Sequence, residues 1–175
     1  MIEASIPIQL VVTDRECTAE TIATHNNITL KRIERNSYGK DFDRDTYTCE
    51  VRDALIDHEI DLIAMAGFGT ILNKPIYDDF SNRILNTHPS LLPSFPGWHA
   101  VEEALEYGVK VTGCTVHIAT EEVDAGPILA QESIPVLKDD TKETLHERIK
   151  TVERQLYVDT INKIITTNGQ IERDQ

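Results

Sequence analysis

Ile8-Gln9-Leu10-Val11-Val12-Thr13-Asp14-Arg15 is a short β-branched run that stops at a polar turn, and it reads as a strand feeding a loop. A helix is predicted next, with Thr18 or Thr21 as its cap and Ile22 and Ala23 as apolar positions. Asn26-Asn27 breaks it before a second strand over Ile28 to Ile33. Strand, helix and strand in that order make a β-α-β unit, whose crossover favours parallel pairing. The fold class that follows is α/β: a doubly wound, mostly parallel sheet with helices on both faces, whose ligands bind beyond the carboxyl ends of the strands. Phosphate binders usually place glycines in the loop after such a strand, because backbone N–H groups must approach the anion closely. The loop from Thr13 to Thr18 has no glycine and holds Asp14 and Glu16, so it is a poor phosphate cradle.

The alternation continues outward from this unit. After a polar loop holding Gly39, a helix is expected from Asp43 or Asp45 to about His58, with Tyr47, Val51 and Leu55 on one face. Ile60 to Gly67 is almost continuously apolar and reads as a buried parallel strand. At its end, the glycines of Gly67-Phe68-Gly69-Thr70 allow close approach of a ligand or simply form a tight turn. Pro75 opens a short helix to Phe80, and a strand follows from Arg83 to Thr87. His99 to Tyr107 is expected as a helix stopped by Gly108, Val111 to Ile118 as a strand with Thr115 and His117 on one face, and Ile128 to Val136 as another. Asp140 and Glu143 give a capping-box-like start to a long helix, with Leu145, Ile149, Val152 and Leu156 inward, which Asn168-Gly169 ends. With neither repeats nor a linker, residues 1–175 read as a single domain.

Seventeen Lys and Arg against 30 Asp and Glu give a formal charge of −13, which repels phosphate backbones and argues against nucleic acid and anionic membranes as partners. A phosphorylated substrate would need a local positive site. Cys17, Cys49 and Cys114 lack the spacing of a zinc site or a disulfide framework, which suits a reducing cytoplasm. No apolar run approaches a membrane span and no export signal is visible, so the chain is expected to be cytoplasmic.

Chemistry concentrates in Ile84-Leu85-Asn86-Thr87-His88-Pro89-Ser90-Leu91-Leu92-Pro93-Ser94-Phe95-Pro96-Gly97. Side chains two apart on a strand share a face, so Asn86 and His88 can aim an amide and an imidazole at one spot; the alternative is a strand end with a satisfied histidine. Three prolines are expected to hold the following loop extended.

This stretch resembles the signature of the phosphoribosylglycinamide (GAR) formyltransferases, folate-dependent enzymes of purine synthesis. Further similarity lies in Met65-Ala66-Gly67-Phe68, in Tyr107-Gly108 with Thr112-Gly113-Cys114-Thr115-Val116-His117, in Val123-Asp124-Ala125-Gly126-Pro127-Ile128, and in Glu147-Arg148-Ile149-Lys150 leading to Glu153. Pro89-Ser90-Leu91-Leu92-Pro93 and Phe95-Pro96-Gly97 look more like this family than like methionyl-tRNA formyltransferases or formyltetrahydrofolate deformylases. The resemblance implies a Rossmann-like formyltransferase fold and formyl transfer from 10-formyltetrahydrofolate, without a metal, to the GAR amine. A related hydrolase, another formyltransferase, or an impaired fragment that only binds folate are the alternatives.

An amine attacking a formyl carbon creates negative oxygen and positive nitrogen, so donors must face the oxygen and a proton must move. By the resemblance, Asn86, His88 and Asp124 are the catalytic trio. A carboxylate beside His88 would hold its charged form. Asp124 is the best candidate, against the plain reading of a turn-forming Asx residue.

The resemblance further implies that Gly69, Thr70, Ile71 and Leu72, with Asn86, Val123 and Ala125, line the folate site, and that Arg44 meets the folate tail. Glu153 would hold the GAR ribose, with Pro89 and Gly67 also on the substrate side. For Arg44 a solvated helix start, and for Glu153 a surface pair with Lys150, are the competing readings. His117 reads as a packed histidine and takes no role. Thr70 stands where family members often have Arg. Family members also begin with a strand and a Gly-x-Gly-Ser/Thr-Asn phosphate loop, and Ile8 to Val12 matches their second strand. The chain is therefore expected to be N-terminally truncated, with GAR affinity lost and the folate side retained. A homodimer is possible, because an incomplete sheet leaves backbone unpaired.

Overall fold

A computed structural model describes residues 1–167. Two compact units make up the chain: an N-terminal one from Pro7 to Ile84 with Ile2, and a C-terminal one from Leu85 onward with Met1 and Glu3–Ile6.

In the N-terminal unit, β1 (Leu10–Thr13) and β2 (Thr29–Arg32) pair in parallel, joined by α1 (Thr18–His25), so the expected β-α-β unit is present. The cap of α1 differs: Cys17 occupies it and makes no side-chain cap bond, while Asn26 ends the helix and Asn27 after it is left-handed at φ +54°. Glu20, on α1, ties the unit together by accepting from Thr13 Oγ1 at 2.7 Å and Arg32 Nε at 2.7 Å. The guanidinium beside it holds this carboxyl down at about 2.

Helix α2 (Arg44–Asp57) is capped by Asp43, which accepts from Thr46 N at 3.0 Å, and buries Tyr47, Thr48, Val51, Ala54 and Leu55. The apolar stretch after it is a correction. Instead of a long buried strand over residues 60–67, only β3 (Ile63–Ala64) is extended and paired, through Ile63 N to Arg83 O at 2.8 Å. Ala64, Ala66 and Gly67 are exposed. Such small residues have little surface to bury, and apolar content alone does not set a strand's length. Pro75 opens α3 (Lys74–Asp79) as expected.

The C-terminal unit is built on β4 (Ile84–His88, from Leu85 on), β5 (Val111–Ile118) and β6 (Ile128–Pro135), with β5 antiparallel to both neighbours. The chain is thus α/β with parallel pairing in its first unit and an antiparallel run in its second, a mixture common in α/β proteins. Helix α4 (Ala100–Tyr107) ends at Gly108, left-handed at φ +80°. Val101, Cys114, Ile134, Leu145 and Ile149 form the core of this unit, with Leu105, Val136, Val152 and Leu156 packed on it.

Helix α5 (Lys142–Thr166) begins one residue later than expected. Thr141 is its cap and forms a capping box with Thr144, while Asp140 is taken by Arg148 at 2.6 and 2.7 Å. The Asn168-Gly169 stop lies outside the described residues. Among the described residues, no helix is long and apolar enough to cross a membrane.

Candidate active site

Sheet register assembles the site. Asn86 on β4 is the cross-strand partner of His117 on β5, and His88 is the partner of Thr115. Residues two apart share a face, so these four side chains converge. Asn86 Nδ2 lies 3.3 Å from His117 Nε2, whose other ring nitrogen is 3.1 Å from Ile118 O. A carbonyl only accepts, so His117 Nδ1 bears the hydrogen and Nε2 accepts from the Asn86 amide. Burial, aided by the nearby His88, pushes the His117 imidazole below its ordinary value and favours this neutral form.

His88 is buried, with Nε2 2.7 Å from Phe95 O and Nδ1 3.2 Å from Asp124 Oδ2. Phe95 O has only lone pairs to offer, so Nε2 carries a hydrogen toward it, and Nδ1 faces the Asp124 carboxylate. Asp124 also accepts from Gly97 N at 2.7 Å, and its Oδ1 lies 3.6 Å from His117 Nε2. Its backbone is left-handed at φ +56°, which Asp tolerates better than most residues. Two residues on, a Cβ at Gly126 would meet Ile118 O at 1.8 Å, so only glycine lets the Asp124 loop lie against the end of β5.

The proline loop is turned, not extended. Ser94 N bonds Leu91 O at 3.0 Å, and Phe95 and Gly97 have φ +52° and +92°. Proline fixes its own φ and restricts the residue before it, leaving the left-handed option open. Thr115 Oγ1 secures the loop by donating to Ser90 O at 2.7 Å and accepting from Leu92 N at 3.1 Å, while Gln131 Nε2 donates to Leu92 O at 2.9 Å.

Glu153 on α5 is half-buried, and burial pushes its carboxyl up against the lowering effect of a Thr87 hydrogen bond. Lys150 bonds Glu147 at 2.9 Å and also acts on the Glu153 carboxyl through its charge. Pro89 is half-buried, and Val123 and Ala125 are exposed. In the N-terminal unit Arg44 opens α2, Gly67 (φ +64°), Gly69 and Ile71 are exposed, and Leu72 is buried. Thr70 is buried, donating to Asp14 Oδ2 at 3.4 Å and accepting from Arg35 Nη1 at 3.3 Å. Among the described residues no three His, Cys, Asp or Glu side chains form a metal cage.

An amide donor, a buried imidazole between two acceptors and a carboxylate are suited to stabilising an oxyanion and moving a proton. The family model described as formyl transferase matches residues 3–161. The chain belongs to the formyl transferase family. A phosphoribosylglycinamide formyltransferase of Mycobacterium tuberculosis is 46% identical over 153 residues, covering 87% of this chain and 70% of the relative. One from Bacillus subtilis is 41% identical over 116 residues, 66% of this chain and 60% of the relative. The crystal structure of glycinamide ribonucleotide transformylase 1 from Symbiobacterium toebii superposes with a TM-score of 0.84 at 38% identity, over 91% of this chain and 76% of that one.

In this formyl transferase the residues that sequence reasoning passes over are His117, Thr115, Phe95, Gly97 and Gln131. The alternation of Thr115 with His117 matches that of Asn86 with His88, and that is the available signal. Its meaning depends on β4 and β5 being adjacent and antiparallel, which the formyl transferase sequence does not display.

Proposed function

We propose that the chain transfers a formyl group from 10-formyltetrahydrofolate to the amine of 5'-phosphoribosylglycinamide, a step of purine (IMP) biosynthesis, working in the cytoplasm as a single formyltransferase domain. The observation that supports this most is the convergence of Asn86, His88, Asp124 and His117 on one face of the β4–β5 ladder, in a chain whose family model spans both compact units. Asn86 has a second amide N–H free of His117 for the developing oxyanion, and the positive His88 ring adds electrostatic stabilisation. Asp124 sustains that charge and takes up or returns the proton of the attacking amine. No metal is part of this reading.

Gly69 to Leu72, with Val123 and Ala125, are assigned to the folate side. The Thr70 hydroxyl is already engaged by Asp14 and Arg35, so this segment offers main-chain groups. Arg44 is assigned to the folate tail, and Glu153, with Pro89 and Gly67, to the GAR side.

The test is a formyl-transfer assay on the full chain and on His88→Ala. The variant is expected to lose turnover by about 10²-fold or more while keeping most of its folate affinity, because the ring acts on the transition state. Equal rates in both proteins would remove the trio from the chemistry. A formyltetrahydrofolate deformylase from Pseudomonas syringae also superposes, with a TM-score of 0.80 at 26% identity. Hydrolysis of the folate that does not depend on GAR would favour that reading.

A further inference from the structure

The group opposite Asp124 on the His88 ring is a main-chain carbonyl, and its placement is unusual. Phe95 O lies 2.7 Å from His88 Nε2 and also receives a longer contact, 3.4 Å, from Ser90 Oγ. The carbonyl is aimed there by Phe95 itself, a non-glycine residue at φ +52°. Pro96 disfavours the right-handed helical region for Phe95, and the left-handed one is sparsely used by aromatic residues. Such a conformation persists only where its surroundings over-determine it, and it clusters at functional sites. Here the surroundings are identifiable. Ser90 is fully buried and bonds Ser94 O, and Ser94 N closes the turn onto Leu91 O. Two residues after Phe95, Gly97 N holds the carboxylate on the other side of the ring.

We propose that the Phe95 main-chain carbonyl, turned inward by its left-handed backbone, is a positioning group that fixes a hydrogen on His88 Nε2 and so confines the exchangeable proton of the His88–Asp124 pair to Nδ1. A carbonyl has only lone pairs to offer, so Nε2 must donate to it at 2.7 Å. Were Nε2 unprotonated, two lone pairs would face one another at that distance. Nδ1 then either carries the hydrogen toward the Asp124 carboxylate or, once Asp124 Oδ2 has taken that proton up, faces the carboxyl O–H with its lone pair, and these two states are what the pair exchanges. One short segment, Phe95 to Gly97, thereby sets both partners of the imidazole: Phe95 through its C=O and Gly97 through its N–H on Asp124.

This assignment rests on the formyl-transfer reading for its kinetic consequence, but not for its structural one. The experiment combines nitrogen-15 NMR of the histidine rings with turnover, in the full chain and in Phe95→Asn and Phe95→Val. Asn adopts φ above zero several-fold more readily than most residues, whereas a β-branched side chain there is a severe outlier. The expected result is a protected hydrogen on His88 Nε2 in the parent and in Phe95→Asn, lost to solvent exchange in Phe95→Val. Turnover should fall in Phe95→Val on the order of tenfold to hundredfold, with Phe95→Asn restoring most of it. If the ring matters only for its edge contact with Tyr107, centroids 5.9 Å apart, Asn should fail as badly as Val, and that outcome overturns the proposal. So does an unprotonated His88 Nε2 in the parent. An intact NMR pattern with no formyl transfer in any protein would instead strike at the enzymatic reading.

Discussion

Gly97 donates its main-chain N–H to Asp124 Oδ2 at 2.7 Å, and the same carboxylate oxygen lies 3.2 Å from His88 Nδ1. Gly97 sits at φ +92°, and a Cβ there would have nothing within 4 Å, so backbone conformation, not space, demands glycine. Gly97→Ala should therefore cost about 1–2 kcal/mol of stability and tilt the amide away from Asp124. The loss of a hydrogen bond to a charged group, about 1.5–3 kcal/mol, predicts a fall in kcat of roughly tenfold or more. Urea unfolding and steady-state turnover on one preparation measure both, and full activity in a destabilised variant would show that Asp124 needs no help from the loop.

Gly126 and Gly39 should respond very unequally to alanine. The Cβ of Gly126→Ala would lie 1.8 Å from Ile118 O, a main-chain atom that cannot step aside, whereas Gly39 has nothing within 4 Å. More than about 2 kcal/mol of destabilisation is expected for the first, and within about 0.5 kcal/mol for the second. Denaturant midpoints compare them.

Acid should act on the N-terminal unit through Glu20. Its carboxyl is held at about 2 against an ordinary 4.5 by Arg32 and Thr13. Because the folded value is the lower one, the contribution to stability is complete above pH 4.5 and disappears as pH falls toward 2. Glu20→Gln should be less stable at pH 7 and show a shallower loss between these limits. Unfolding curves at several pH values, followed by circular dichroism, would reveal parallel slopes if the pair were inert.

Thr112 Oγ1 and Tyr47 OH are buried side-chain atoms without a hydrogen-bond partner among the described residues. Removing an unsatisfied hydroxyl while keeping the side chain's shape relieves a desolvation cost, so Thr112→Val and Tyr47→Phe should each stabilise by about 1 kcal/mol. Thermal unfolding that shifts downward instead would indicate that an internal water serves these groups.

The helices are the most legible part of the chain, because capping residues and apolar spacing are local. Asp43, Pro75 and Gly108 mark the ends of α2, α3 and α4 as their chemistry demands. The strand after α2 is far shorter than its composition suggests, because continuous apolar content does not reveal how many residues find a hydrogen-bonding partner. In the site, Asn86 and His88 are visible from a two-residue alternation, and Asp124 only through the family resemblance. His117 and Phe95 are hidden for different reasons. The first depends on which strand lies beside β4, and the second contributes a carbonyl that every residue possesses.

Asn86 and His88 hang from one strand of the β4–β5 ladder, and His117 and Thr115 from the other. Groups fixed to a shared ladder drift in concert, so thermal motion that carries the whole unit leaves their mutual spacing nearly unaltered. The amide and the imidazoles owe their spacing to that ladder, whereas Asp124, on a loop, owes its place to Gly97 N and to the close approach of Gly126 to Ile118 O.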